Sequence, residues 1–227
     1  MAQFAEAQTS GRAGAVVISN LRKCLDDADG RESVLRSALA DLGKHLESSV
    51  PRSIRLNVVL PPVVVFTDAA AEREGVFLGG VVADPVSGIF ELFAARARSR
   101  TVDHWKRAGK RQVIGQAELV AVPIAAMIWS KILTGRDILF FGDNDSATAC
   151  LVNGGSPVDD SRELVVATRR LLTGMAAAPW FCAVPSPSNI ADGPSRGDWK
   201  LLEAEGATRT AARVPKELED YVEIEEL

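Results

Sequence analysis

Pro61-Pro-Val-Val-Val-Phe-Thr-Asp-Ala-Ala70 decides how this chain is read. Three valines and a phenylalanine in a row, bounded by prolines and by small residues, predict a buried central strand over 63–69. Asp68 sits at the end of that strand. An acid there is costly unless it is paired or holds a cation. A turn-forming Asp is the other reading of such a position, and Asp68 alone does not separate the two.

Working outward, the segments on the C-terminal side keep the strand period. Glu74 to Asp84 predicts a second strand, and Gly79-Gly80 in its interior points to a bulge or a close approach of backbone. Asp84-Pro-Val-Ser-Gly88 is a turn, and Ile89 to Ala97 a third strand. Connections this short favour antiparallel pairing. A long helix follows over about 113–133, apolar on nearly every side and so expected to be buried, with Pro123 inside it. Glu118 is the only charged residue between Arg111 and Lys131, and a lone acid on a buried helix calls for a partner. Asp137 to Asp143 predicts a fourth strand, again ending in an acid. Asn144 and Asp145 can open a short helix to about Asn153, which Gly154-Gly155 ends. A further helix to about Met175, a strand over Trp180 to Val184 and a short turn or helix beginning near Asp192 complete the order βββαβααβα.

On the N-terminal side, residues 1–50 predict helices. Val34, Leu35, Leu39, Leu42 and Leu46 recur at helical spacing, as do the apolar residues between Val16 and Leu25.

The chain has 227 residues and a formal net charge of −4. The charge is uneven. Pro215 to Leu227 carries six acids and one lysine, which predicts a mobile acidic tail. Arg96 to Arg111 carries seven basic residues and one acid, with Trp105 among them. That cluster is a phosphate-binding footprint or a solvated loop; Trp105 could stack on a base or cover a core edge. Arg96, Arg98, Arg100, Lys106, Arg107, Lys110 and Arg111 are the candidate substrate contacts. Three dispersed cysteines offer neither zinc spacing nor a disulfide framework, which fits a reducing compartment inside the cell, cytoplasmic or nuclear. The longest apolar stretch, Ala117 to Trp129, is too short to span a bilayer, so no membrane partner is expected.

The constellation follows from the order of elements. A fourth strand pairing beside the first brings Asp68 and Asp143 to one edge of the sheet, and the helix between them can present Glu118 over it. Asp192 approaches from the loop after strand five. Four converging carboxylates repel one another. Two Mg²⁺ or Mn²⁺ ions, which prefer oxygen ligands, resolve that repulsion and suit phosphodiester hydrolysis. Asp145 is a rival to Asp143, set aside because it already reads as a helix-start residue.

The motifs resemble a known family. Phe66-Thr-Asp-Ala69, Gln116-Ala-Glu-Leu119, Gly142-Asp-Asn144 and Asn189-Ile-Ala-Asp-Gly-Pro-Ser-Arg196 are similar, in order, to the four motifs of ribonuclease H domains. The last is similar to the signature that closes this domain in gypsy-like and DIRS-like retrotransposon reverse transcriptases. The resemblance implies an α/β ribonuclease H-like fold: a five-stranded mixed sheet, three antiparallel strands then two parallel additions, flanked by helices. It implies a catalytic domain over 60–200, an acidic tail over 201–227, and a helical extension over 1–55. Gln3 to Gly14 resembles the connection to a polymerase domain, which becomes a candidate partner. The implied activity is metal-dependent cutting of the RNA strand of RNA–DNA hybrids, with Asp68, Glu118, Asp143 and Asp192 holding two Mg²⁺ (or Mn²⁺) ions and Asn144 near the substrate. A DNA or junction nuclease, and a non-catalytic nucleic-acid-binding or connection domain, are the rival readings. Many cellular members carry a histidine before the last aspartate; Ser186-Pro-Ser-Asn189 has none.

Overall fold

The computed structural model describes residues 21, 31–48, 60–106, 113–220 and 222–227. Helix α1 spans Arg31–Ser48 and corresponds to the second predicted N-terminal helix; Leu39 and Leu46 on it are about half exposed. The first predicted helix, apart from Leu21, and the segment resembling a polymerase connection lie outside the described residues.

Three strands follow as an antiparallel meander: β1 (Val63–Glu72), β2 (Gly75–Asp84) and β3 (Ile89–Ala97). After α2 (Ser99–Lys106), α3 (Ile114–Ile128) and the short α4 (Ser130–Leu133), strand β4 (Asp137–Gly142) pairs parallel with β1. Helices α5 (Asp145–Asn153) and α6 (Asp159–Gly174) lead to β5 (Ala178–Ala183), parallel to β4. Two short helices, α7 (Asp192–Ser195) and α8 (Lys200–Ala204), precede β6 (Thr208–Arg209) and β7 (Ile224–Glu226). The sheet order is β5-β4-β1-β2-β3-β6, with β7 also on β3.

The expected five-stranded core is present, and three differences matter. First, β1 runs past its predicted end at Ala69. It continues to Glu72, because Ala69 to Glu72 pair with Gly75 to Leu78. Only the β4 side ends early, with Phe66 opposite Phe141 as the last pair. Second, the predicted 113–133 helix breaks at Trp129 and runs uninterrupted through Pro123. Third, the acidic C-terminal stretch is not a mobile tail. Leu218 and Val222 are buried, β6 pairs with Glu91 and Leu92, and β7 pairs with Ala95 to Ala97.

Alternation along β1 sorts the two faces. Val63, Val65 and Ala69 join the main core, which α3 fills with Ala117, Val120, Ala121 and Ile124. On the opposite face, Val81 and Leu92 pack with Ala191 and Ala207, and Phe66, Trp199 and Leu202 lie against them. Arg136 ties three strand ends together: its guanidinium donates to the Pro61 carbonyl at 2.9 Å and pairs with buried Asp84 at 3.0 Å.

The paired glycines serve one face each. The β1–β2 register is regular, so there is no bulge. A Cβ at Gly80 would collide with the Phe93 ring, whereas one at Gly79 would meet the Ser195 amide and stand 2.8 Å from the Ala191 carbonyl oxygen. Gly79 thus lets α7 lie directly on the sheet. Gly79→Ala is expected to cost about 1–3 kcal/mol of stability, measured by urea unfolding, because the obstructing atoms are backbone and cannot turn aside.

Candidate metal centre and nucleic-acid interface

Asp68, Glu118 and Asp143 come together. Each offers a carboxylate oxygen, and these oxygens all lie within 4.8 Å of one another. The topology explains the meeting. Asp68 and Asp143 each lie two residues past the Phe66–Phe141 pair, where β4 has ended and β1 goes on. Glu118 reaches this opening from α3, and the Ala69 amide donates to it. Asp68 is 2% and Glu118 6% exposed; Asp143 is half-buried.

The electrostatics are those of crowded acids. Burial, chiefly, pushes Glu118 up to about 9, and the charges of Asp68 and Asp143 add to it. Burial also raises Asp68 to about 6; the Ser195 hydrogen bond opposes this, while Asp143 and Asp192 reinforce it. Such a group must hold protons or a cation. Three hard oxygen donors without nitrogen or sulfur fit Mg²⁺ or Mn²⁺.

Asp192 stands beside the group rather than in it. Its charge raises the proton affinity of Asp68, but its Oδ1 accepts from Arg196 Nε at 2.8 Å. Arg196 also pairs with Glu72 at 3.1 Å. Asp145 is exposed and outside the cluster. Asn144 is the N-cap of α5, its side chain accepting from the Ala147 amide at 3.0 Å.

The basic stretch is only partly a loop. Arg96 belongs to β3, where its guanidinium donates to the Glu74 carbonyl, lies over the Phe77 ring at 5.6 Å and pairs with Glu225 at 3.6 Å. Arg100, on α2, pairs with Glu223 at 2.7 Å. Arg98 and Lys106 are exposed. Trp105 is a core residue, 1% exposed, and is not available to stack on a base. Arg107, Lys110 and Arg111 lie outside the described residues. The acidic C-terminal segment therefore neutralises part of the cluster expected to contact substrate.

Sequence reasoning named Asp192 in the last motif but assigned no role to Asn189 or Ser195. Both touch Asp68: Asn189 Nδ2 donates to Oδ1 at 3.2 Å, and the Ser195 hydroxyl donates to Oδ2.

No family model and no curated protein matches the chain. Solved structures do. A ribonuclease H1 of the halophilic archaeon Halobacterium salinarum is 22% identical, with a TM-score of 0.47 over 63% of this chain and 99% of its own. A ribonuclease H1 isolated from compost by a metagenomic approach is 14% identical, with a TM-score of 0.46 over 58% of this chain and 90% of its own. The N-terminal ribonuclease H domain of a Mycobacterium tuberculosis protein is 16% identical, with a TM-score of 0.44 over 64% of this chain and 99% of its own. The sheet is an antiparallel β1–β2–β3 meander extended by parallel β4 and β5, as expected from the motifs. Among the described residues no helix is long and apolar enough to cross a membrane.

Proposed function

We propose that this chain is a metal-dependent nuclease that hydrolyses the RNA strand of RNA–DNA hybrids. The observation that carries the reading is the convergence of Asp68, Glu118 and Asp143 from a strand, a helix and a strand end. Burial and mutual repulsion make these acids poor company unless a cation joins them. Asp192 is the proposed fourth ligand, beside the cluster. Two divalent cations held by these residues would activate water and stabilise the leaving oxygen.

The protein's own residues supply the rest. Arg98 and Lys106 offer exposed charge to the phosphate backbone, with Arg107, Lys110 and Arg111 as further candidates; Arg96 and Arg100 contribute to the extent that Glu225 and Glu223 release them. Discrimination for the hybrid would come from groove shape and 2′-hydroxyl contacts. The four motifs support an origin in a retroelement reverse transcriptase, with the 1–55 extension leading towards a polymerase domain, and the protein would act inside the cell.

The test is incubation of the purified chain with labelled RNA–DNA hybrid, single-stranded RNA and duplex DNA, each with Mg²⁺, Mn²⁺ or EDTA. Cutting confined to the RNA of the hybrid, and lost in EDTA, is the expected result. Cutting of duplex DNA instead would move the chain to a nuclease of another specificity. Salt-sensitive binding without cutting would make it a binding domain.

A further inference from the structure

The three acids are not the whole of the site, because one of them is held in place from 121 and 127 residues away. The Asn189 amide uses both of its hydrogens on β1: one goes to the Thr67 carbonyl at 3.1 Å and the other to Asp68 Oδ1. Its own oxygen accepts from the Ala191 amide at 3.3 Å, which fixes which way the amide faces. Turning it over would set oxygen against two acceptors. The Ser195 hydroxyl has one hydrogen and two acceptors in reach, Asp68 Oδ2 and the Asp192 carbonyl at 3.0 Å. The carboxylate wins, since a hydrogen bond to a charged acceptor is the stronger. Ser195 has no exposed surface and Asn189 is 4% exposed, so neither bond competes with water. The backbone of α7 reaches this depth only because Gly79 lacks a side chain.

We infer that Asn189 and Ser195 are positioning residues that set the plane of the Asp68 carboxylate for cation binding. Each oxygen of Asp68 accepts from one fixed donor and keeps further acceptor capacity, and one of the two lies within 4.8 Å of carboxylate oxygens of Glu118 and Asp143. The C-terminal motif would thus act on the site through Asp68, independently of any ligation by Asp192. This inference rests on the metal-site reading proposed above.

The experiment is a calorimetric titration with Mn²⁺ alone, at fixed pH, on the wild-type chain and on Ser195→Ala, Asn189→Ala and Leu202→Ala. Leu202 packs in the same layer and has no side-chain group that can hydrogen-bond Asp68, so its truncation loosens the layer without removing a donor to the carboxylate. Unfolding midpoints in EDTA report how far each variant is destabilised. Ser195→Ala and Asn189→Ala are each expected to weaken Mn²⁺ binding roughly 10–100-fold, the usual effect of losing a group that orients a ligand. Leu202→Ala should stay within about threefold of wild type. Wild-type affinity in both Ser195→Ala and Asn189→Ala would overturn the inference while leaving the metal site standing. So would an equal loss in Leu202→Ala, which would reduce both residues to general packing. A wild-type chain that binds no Mn²⁺ would remove the metal-site reading itself, and this inference with it.

Discussion

Asp68→Asn is expected to lower hybrid cleavage by roughly a thousandfold, the rate equivalent of the several kcal/mol that metal ions supply at a phosphoryl centre. No other single change should cost as much, because Asp68 is the one member of the acid cluster that also anchors the C-terminal motif. The fold should survive. Asparagine keeps an acceptor for Asn189, and its amide can donate to the Ser195 oxygen, so both buried contacts are re-made. It also removes a negative charge that raises the proton affinity of Glu118. The metal-free variant should therefore unfold at the same urea concentration as wild type or a higher one. Cleavage rate and urea midpoint in EDTA check both halves. An undiminished rate would remove the site from this sheet edge.

The second large effect is on stability. Without divalent cations, the protein is expected to lose stability, on the order of several kcal/mol, as pH rises from about 4 to about 9. The sign follows from the direction of the shifts. Burial, chiefly, lifts Asp68 from 3.8 to about 6 and Glu118 from 4.5 to about 9. Over that window the folded chain keeps protons that the unfolded chain has released. The stability they contribute is complete below the unfolded values and fades as each folded value is passed. Mg²⁺ acts in the other direction, since it takes the place of those protons, and the stabilisation it gives should grow with pH. Urea unfolding at pH 5 and pH 8.5, in EDTA and in Mg²⁺, measures both slopes. Glu118→Gln should flatten most of the metal-free slope; a slope unchanged by that substitution would place the repulsion elsewhere.

Much of this site was legible because strand and helix periods are local. The valine run fixed the centre of β1, the all-round apolar helix isolated Glu118, and the Asp137–Asp143 run ended where β4 ends. What escaped depends on distant partners. Ala69 to Ala71 are weak strand formers, so nothing in their composition says that β1 continues; β2 makes them a strand by pairing with them. Strands of two and three residues have no readable period, so neither β6 among small and basic residues nor β7 among acids could be read. Trp105 stayed open between a base contact and a core edge because its neighbours in sequence are basic; its neighbours in space are apolar, and it is core. Asn189 and Ser195 stood in plain view within the last motif, but their bonds to Asp68 cross half the chain.

The docking of the C-terminal segment on β3 also governs how this molecule meets its own copies. An uncovered strand edge is a template for another chain. Here β6 and β7 take successive stretches of the outer side of β3, at Glu91–Leu92 and Ala95–Ala97, so that side offers little open ladder. At the opposite margin β5 is only six residues long and contains Pro179, which has no amide hydrogen to offer a newcomer. The acids of β7 add like charges that repel an approaching second copy. Sheet-to-sheet self-association is thereby discouraged at both margins, and an exposed Trp180 is left as an apolar spot on a short edge strand that Pro179 interrupts.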